Sequence, residues 1–403
     1  MTQTAKFKVY LDSSNKACKP NTITLSKVYS YLKRNGHIFV NNFSHADYVI
    51  VNTCGFMKEF ETETVNLFKF YIKNDSKVIS IGCLNKINGQ AITNIPGNIL
   101  LINELKELDP IFFNQVRFDD VTEYCMHDEF QDYYKIQDSG FSKLYNFIVC
   151  KIFLRIFEKR SYFRKLFDQV YFKNKFDIKI NTGCASNCNF CVIKKAIGKV
   201  KSRDPQHIIQ DIENNGSFAK TIHLVSDDCG PYGLDIGLNL PKLLKTISNR
   251  FRNRKIDLGE TNPFWILRYR DELLDIFRNI DLNSVYIPIQ SGSNRVLREM
   301  NRNYDIHEVM NVIKHIKKIS PKTFISTHAM VGFPGESWRD FFKTLAVLRY
   351  FDYFVGFSYS DREGARSYKY NNKNSDFVVK LKYHILRIYQ HALVFVKAVF
   401  CFY

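Results

Sequence analysis

Three cysteines constrain this chain more than any other feature. Cys184, Cys188 and Cys191 stand at C-x3-C-x2-C spacing in the loop Asn181-Thr182-Gly183-Cys184-Ala185-Ser186-Asn187-Cys188-Asn189-Phe190-Cys191, directly after a strand-like run at 176–180. Three thiolates in one tight loop can hold three irons of a cubane and leave the fourth iron without a protein ligand, whereas four cysteines would saturate it. An open iron can chelate a small molecule and pass it one electron, the requirement for making a carbon radical from S-adenosylmethionine (SAM). The loop therefore points to an enzyme. Structural zinc is a competing reading, but it needs a fourth Cys or His in the paired C-x2-C manner, and none follows closely. Chance spacing among ten cysteines in 403 residues is the third reading.

A chain of this length has room for two or three domains. Its 45% hydrophobic and 24% charged residues are those of a folded soluble protein. The 58 Lys and Arg against 40 Asp and Glu give a net charge of +18, which suits a polyanion such as RNA or an anionic membrane surface without choosing between them. The 35 Phe and 23 Tyr fit a biased genome better than base stacking. The N-terminus has no apolar h-region and no small-residue cleavage site, so a cytoplasmic protein is expected. No window reaches eighteen uncharged apolar residues, and no spanning helix is expected. In a reducing compartment ten cysteines point to metal and redox chemistry rather than to disulfides.

Residues 7–12 read as a first strand, followed by a loop carrying Cys18 and a helix over about 25–35 that stops at Gly36. A second strand at 46–52 ends in Thr53-Cys54-Gly55-Phe56, and a third at 77–81 ends in Gly82-Cys83. Strands alternating with helices predict a doubly wound parallel sheet whose site lies at the carboxyl ends of its strands. Cys18, Cys54 and Cys83 then share one sheet edge. By residue type they would be core cysteines; their position after strands favours a second three-cysteine cluster. Residues 123–140 read as polar loop. Residues 144–171, with Lys151, Arg155, Lys159, Arg160, Arg164 and Lys165, read as a basic amphipathic helix or hairpin that packs, or contacts RNA or a membrane surface. Cys125, Cys150 and Cys401 read as structural.

From residue 176 the rhythm resumes with strands at 176–180, 221–225, 255–258, 284–289, 323–331 and near 353–357, about six strand and helix units and enough for an incomplete parallel barrel. Four polar turns, Ser226-Asp-Asp-Cys-Gly, Gly259-Glu-Thr-Asn-Pro, Gln290-Ser-Gly-Ser and Gly332-Phe-Pro-Gly-Glu, fall at successive strand ends and suggest one ring around a ligand. The expected class is α/β: an N-terminal doubly wound parallel sheet domain followed by a partial (β/α)6 barrel. The expected boundaries are 1–104 for the first domain, 105–175 for a basic aromatic helical insert, 176–370 for the barrel and 371–403 for an apolar, basic C-terminal helix.

From about residue 6 to 364 the chain resembles the radical SAM methylthiotransferases. The first domain does so in Cys18-Lys-Pro-Asn21, Val51-Asn-Thr-Cys-Gly-Phe56 and Gly82-Cys83-Leu84. The central part does so in Gly183-Cys184 through Cys191-Val-Ile, Gly198, Ser202-Arg203, Tyr232-Gly-Leu-Asp235, Pro288-Ile-Gln-Ser-Gly-Ser293, Met300-Asn-Arg302, Val331-Gly-Phe-Pro-Gly-Glu336 and Phe357 through Gly364. The resemblance implies two 4Fe-4S clusters and SAM as cofactors. Cys184, Cys188 and Cys191 would hold the cluster that cleaves SAM to a 5'-deoxyadenosyl radical. Cys18, Cys54 and Cys83 would hold the cluster that presents the sulfur. Phe190 falls at the family's aromatic position beside the adenine, a plain core Phe being the alternative. Asp227 and Gln290 are the polar candidates for SAM or substrate, with turn capping as the alternative. The chain departs from the pattern at Lys194 and Ile197, where the family usually has Pro and Arg, and at Ala365, usually Thr. After Gly364 only 39 residues remain, too few for the family's small RNA-binding β-barrel, and Lys380, Lys382, Arg387 and Lys397 fall in an apolar helix there.

The expected activity is insertion of a methylthio group at an unactivated C–H bond of a tRNA adenosine beside the anticodon. The alternatives are an aspartate or other residue of a ribosomal protein or peptide, or a non-catalytic iron-sulfur protein attached to membranes. A low-potential electron donor and a monomeric state are expected.

Overall fold

The computed structural model describes residues 5–126, 128–137 and 175–400. The basic segment 144–171, Cys150 and Cys401 lie outside them. Near the N-terminus a five-stranded, all-parallel sheet runs in the order β2-β1-β3-β4-β5, with β1 at Lys8–Ser13, β2 at Ile38–Phe39, β3 at Tyr48–Thr53, β4 at Val78–Gly82 and β5 at Ile99–Leu101. Strand alternation sends Val9, Leu11, Ile50 and Ile79 to one face, where they pack with Leu25, Val28 and Leu32 of helix α1 (Lys19–Arg34). Val49, Val51 and Val78 turn to the other face and meet Phe68 and Tyr71 of helix α2 (Lys58–Lys73).

Helix α1 starts earlier than the expected residue 25. Cys18 is its N-cap and Pro20 lies in its first turn, where a missing N–H costs nothing. The run Lys19-Pro-Asn-Thr resembles a loop because its residues favour caps and turns. Residues 105–137, placed outside the first domain on sequence grounds, complete its core through Leu108, Phe112, Phe118, Val121, Phe130 and Tyr133. The polar loop expected at 123–140 contains a helix, Asp128–Gln137. Its aromatic residues at i and i+3 spacing outweigh the polar composition, and the Tyr133 hydroxyl accepts from the Leu11 N–H at 3.0 Å.

The second sheet has six parallel strands in the order β13-β12-β11-β10-β9-β6, with β6 at Lys175–Lys179, β9 at Thr221–Val225, β10 at Lys255–Glu260, β11 at Leu282–Tyr286, β12 at Phe324–Val331 and β13 at Tyr353–Ser358. A separate hairpin pairs β7 (Asn181–Thr182) with β8 (Lys201–Ser202). One face of the large sheet, with Ile222, Leu224, Ile256, Leu258, Val285 and Ile325, packs on helices. The other is polar. Lys175 pairs with Asp257 at 2.5 Å, and Asp177 takes both His223 and, from α1, Lys19 at 2.6 Å.

The sheet does not close on itself. Beside β6, Tyr124 to Met126 form a short antiparallel ladder in which Met126 N–H donates to the Asp177 carbonyl at 2.9 Å and Lys179 N–H to the Tyr124 carbonyl at 2.8 Å. Beside β13 lies the C-terminal helix Asp376–Phe400, whose Gln390 amide donates to the Phe354 carbonyl at 2.5 Å and whose Lys397 ammonium donates to the Phe351 carbonyl. No described helix is long and apolar enough to cross a membrane.

Candidate functional site

The cysteine loop after β6 is fixed from several directions. Gly183 adopts φ +81°, and a Cβ there would come within 2.1 Å of the Lys199 carbonyl oxygen, so only glycine fits the turn. The Ser186 N–H donates to Cys184 Sγ at 3.3 Å, and the Lys194 ammonium donates to the Cys184 carbonyl. Lys194, one of the departures from the family pattern, thus braces the loop. Asn189 donates from its backbone to the Met300 carbonyl at 3.0 Å and from its side chain to the Glu299 carbonyl at 2.8 Å, while Asn301 donates to the Asn187 carbonyl at 2.7 Å. The three thiols stay partly accessible.

Cys18 at the start of α1, Cys54 after β3 and Cys83 at the start of helix α3 (Cys83–Asn88) converge at one edge of the first sheet. The Asn15 amide donates to Cys54 Sγ at 3.4 Å, and the Cys83 thiol donates to Asn21 Oδ1 at 3.7 Å. Burial, then Cys54 and Cys83, push the Cys18 thiol well above its ordinary value. Burial, then Asp227 and Cys54, push Cys83 to about 12. The three sulfurs thus lie near enough to act on one another, and such a donor set suits a cationic inorganic core. Among the described residues no three His, Cys, Asp or Glu side chains close in as a cage for a single metal ion; thiolates bound to separate irons of one cubane have no need to. Both cysteine sets therefore fit iron–sulfur clusters.

The consecutive residues Asp227 and Asp228 at the end of β9 join the two sets. Asp227 is among the charges acting on Cys18 and Cys83. Asp228 Oδ2 lies 3.8 Å from Cys184 Sγ and accepts from Trp265 Nε1 at 3.2 Å, while Oδ1 accepts from the Gly230 and Asn262 backbone N–H groups at 3.1 Å. Burial raises the Asp228 carboxyl, these donors pull it back, and it settles near about 6.

Arg302 is the buried cation beside the Cys184 loop. Burial opposes its charge, but Cys188, Tyr304, Asp228 and Cys184 outweigh that. It donates to the Pro288 carbonyl at 3.2 Å and stands 5.9 Å from the Phe190 ring centroid. Gln290 is buried with φ +62°, its backbone bonded to His328 and Met330 of β12, and among the described residues its side-chain amide makes no hydrogen bond. Strained residues of this kind cluster at ligand sites. Phe190 and Cys191 line an open pocket together with Phe56, Met330, Ser358 and Arg362. His328 in β12 packs against Tyr286 and Phe357, and burial and then Arg302 lower it to about 3, so it is neutral. Sequence reasoning singled out Asp227 but not its neighbour Asp228, because only the backbone course after β9 tells which carboxylate faces which cysteine set. Arg302 stood inside a quoted motif; Arg362 likewise, with nothing in the spacing to mark either as buried.

Residues 178–348 match the Radical SAM superfamily and residues 11–103 match Uncharacterized protein family UPF0004. The chain is 29% identical over 347 residues, 85% of its own length and 74% of the relative's, to a "Probable threonylcarbamoyladenosine tRNA methylthiotransferase" of Pyrococcus horikoshii. It is 28% identical over 362 residues, 87% and 76% of the two lengths, to "Ribosomal protein uS12 methylthiotransferase RimO" of a Thermoanaerobacter species. Among solved structures, the cobalamin-dependent SAM radical enzyme OxsB superposes with a TM-score of 0.52 at 12% identity, covering 96% of this chain and 56% of that one. The chain thus spans little more than half of that structure, and the likeness is one of fold.

Proposed function

The chain belongs to the radical SAM methylthiotransferase family, and from that premise we propose that it inserts a methylthio group at an unactivated C–H bond of a tRNA adenosine beside the anticodon. The observation that carries this reading is that both cysteine sets come near the end of β9, where Asp228 lies 3.8 Å from Cys184 Sγ and the preceding Asp227 is among the charges acting on Cys18 and Cys83. Family members work with SAM and two 4Fe-4S clusters. Cys184, Cys188 and Cys191 would hold one cluster and Cys18, Cys54 and Cys83 the other. These groups supply one-electron cleavage of SAM to a carbon radical and the sulfur to be transferred.

The chain's own side chains do the rest. Arg302 balances negative charge beside Cys184 and Cys188 in a buried setting where charge interactions are strong. Phe190 would offer an apolar face to the adenine, and the Gln290 amide would offer a donor and an acceptor to the polar part of SAM. Asp228, held by Trp265 and two backbone donors, keeps the wall between the triads in place. The net charge of +18 favours a polyanionic substrate.

Anaerobic reconstitution tests the two-cluster premise. Wild type is expected to hold about eight irons, and Cys184→Ala and Cys54→Ala about four each, one cubane per triad. Four irons in wild type would leave an ordinary radical SAM enzyme with no sulfur insertion. Incubation of the reconstituted protein with SAM, a reductant and either tRNA or ribosomal protein, followed by mass spectrometry of the digests, tests the substrate. A methylthiolated nucleoside supports the tRNA reading. A modified aspartate replaces it, and the absence of product with both leaves a non-catalytic iron–sulfur protein.

A further inference from the structure

Arg362, beyond β13, reaches out of the barrel into the first domain. Its Nη2 pairs with Glu61 of α2 at 2.8 Å, and the two side chains are only 5% and 6% exposed. Glu61 is held in turn by Lys58 at 2.6 Å and by the Asn88 amide at 3.3 Å. Nη1 of Arg362 is buried and has no hydrogen-bond partner among the described residues. A charged donor buried without an acceptor is costlier than a neutral one. Such a group persists where negative charge faces it. Arg362 lines the same pocket as Cys191, Phe190 and Phe56, the last two residues beyond Cys54. The segment that carries Arg362 also meets the chain just beyond Cys54: the Lys58 N–H donates to Ser360 Oγ at 3.2 Å, and the Phe56 and Phe357 ring centroids lie 5.7 Å apart.

We infer that Arg362 is the charge-compensating residue of the auxiliary site: lent by the barrel and aimed by Glu61, it sets the redox balance of whatever anionic cluster Cys18, Cys54 and Cys83 hold. Three thiolates on a cubane give a net anion whose charge grows by one on reduction, so a fixed cation nearby favours the reduced form. Arg362 therefore raises the reduction potential at the auxiliary site. This inference rests on the proposal that Cys18, Cys54 and Cys83 bind a cluster, and the two fail separately.

Reconstituted full-length protein carrying Cys184→Ala retains only the auxiliary cluster, whose midpoint is read by redox titration followed by electron paramagnetic resonance. Arg362→Met is expected to shift the reduction equilibrium at least tenfold toward the oxidised form, about 59 mV for one electron. Arg362→Lys is expected to restore most of that shift. Glu61→Gln breaks the same ion pair but leaves the guanidinium, and is expected to move the midpoint the opposite way. A purely structural ion pair would give shifts of the same sign for Arg362→Met and Glu61→Gln, or none, and either result overturns the inference. If Arg362→Met does not retain iron, Arg362→Lys and Glu61→Gln decide it by the same criterion of sign. Failure of the Cys184→Ala protein to hold about four irons removes the underlying cluster proposal instead.

Discussion

Gln290 shows at the scale of one residue how the site is held ready. Its φ of +62° is a region that a non-glycine residue enters at roughly 1–2 kcal/mol. The backbone bonds to His328 and Met330 keep it there. Gln290→Ala keeps the strain and loses the side chain, whereas Gln290→Gly loses both. Urea unfolding should therefore find the Gly variant more stable than the Ala variant by about 1 kcal/mol, although it deletes more atoms. Both variants should bind SAM more weakly than wild type in equilibrium dialysis. At this scale Cys184, Cys188 and Cys191 stand out by their spacing, and Cys18, Cys54 and Cys83 by their places after strands. Asp228, Arg302 and Arg362 were not, because their importance lies in what surrounds them: Trp265 on one, Cys188 beside another, Glu61 across a domain boundary.

Among the elements, the strands were the most legible, since all six barrel strands follow apolar runs between turn residues. The start of α1 was hidden because Pro20, Asn21 and Thr22 suit a loop as well as a first helical turn. The C-terminal helix was visible as an apolar, basic run, but its basic residues are not all solvated. Lys382 is fully buried and its ammonium donates to the Glu336 carboxylate at 3.0 Å and to the Glu336 carbonyl at 2.7 Å, while the same carboxylate accepts from the Gly332 N–H at 2.8 Å. This ion pair fixes the helix to the turn after β12. Lys382→Ala strands a buried carboxylate and should destabilise the protein by roughly 3–5 kcal/mol in denaturant titrations. The double variant Lys382→Met with Glu336→Gln should recover most of that loss, since no uncompensated charge remains.

Over the whole molecule, the two sheets are fastened by buried charge as well as by apolar contact. Lys19, next to Cys18, crosses from α1 to Asp177 in β6, and Arg362 crosses back to Glu61. Burial pushes the Asp177 carboxyl up, but the Lys19 ammonium and His223 outweigh it and hold the group well below its ordinary value of 3.8. A depressed folded-state value contributes stability that is present above that ordinary value and lost as pH falls through the folded one. Stability of wild type should thus decline on acidification below about pH 4, in part through Asp177. Asp177→Asn should lower stability at pH 7 by about 3 kcal/mol and flatten the acid limb of the urea midpoint against pH. An unchanged acid limb would show that this fastening carries no weight. No pattern in the sequence announces it, because the partners are 158 residues apart.

The six-stranded sheet ends at β6 and β13 without joining them, and each rim is finished by a different piece of chain. A sheet left open in this way keeps two edges that a closed cylinder would lack, and backbone groups there that would otherwise pair strand to strand are met by Tyr124 to Met126 on one side and by Gln390 and Lys397 on the other.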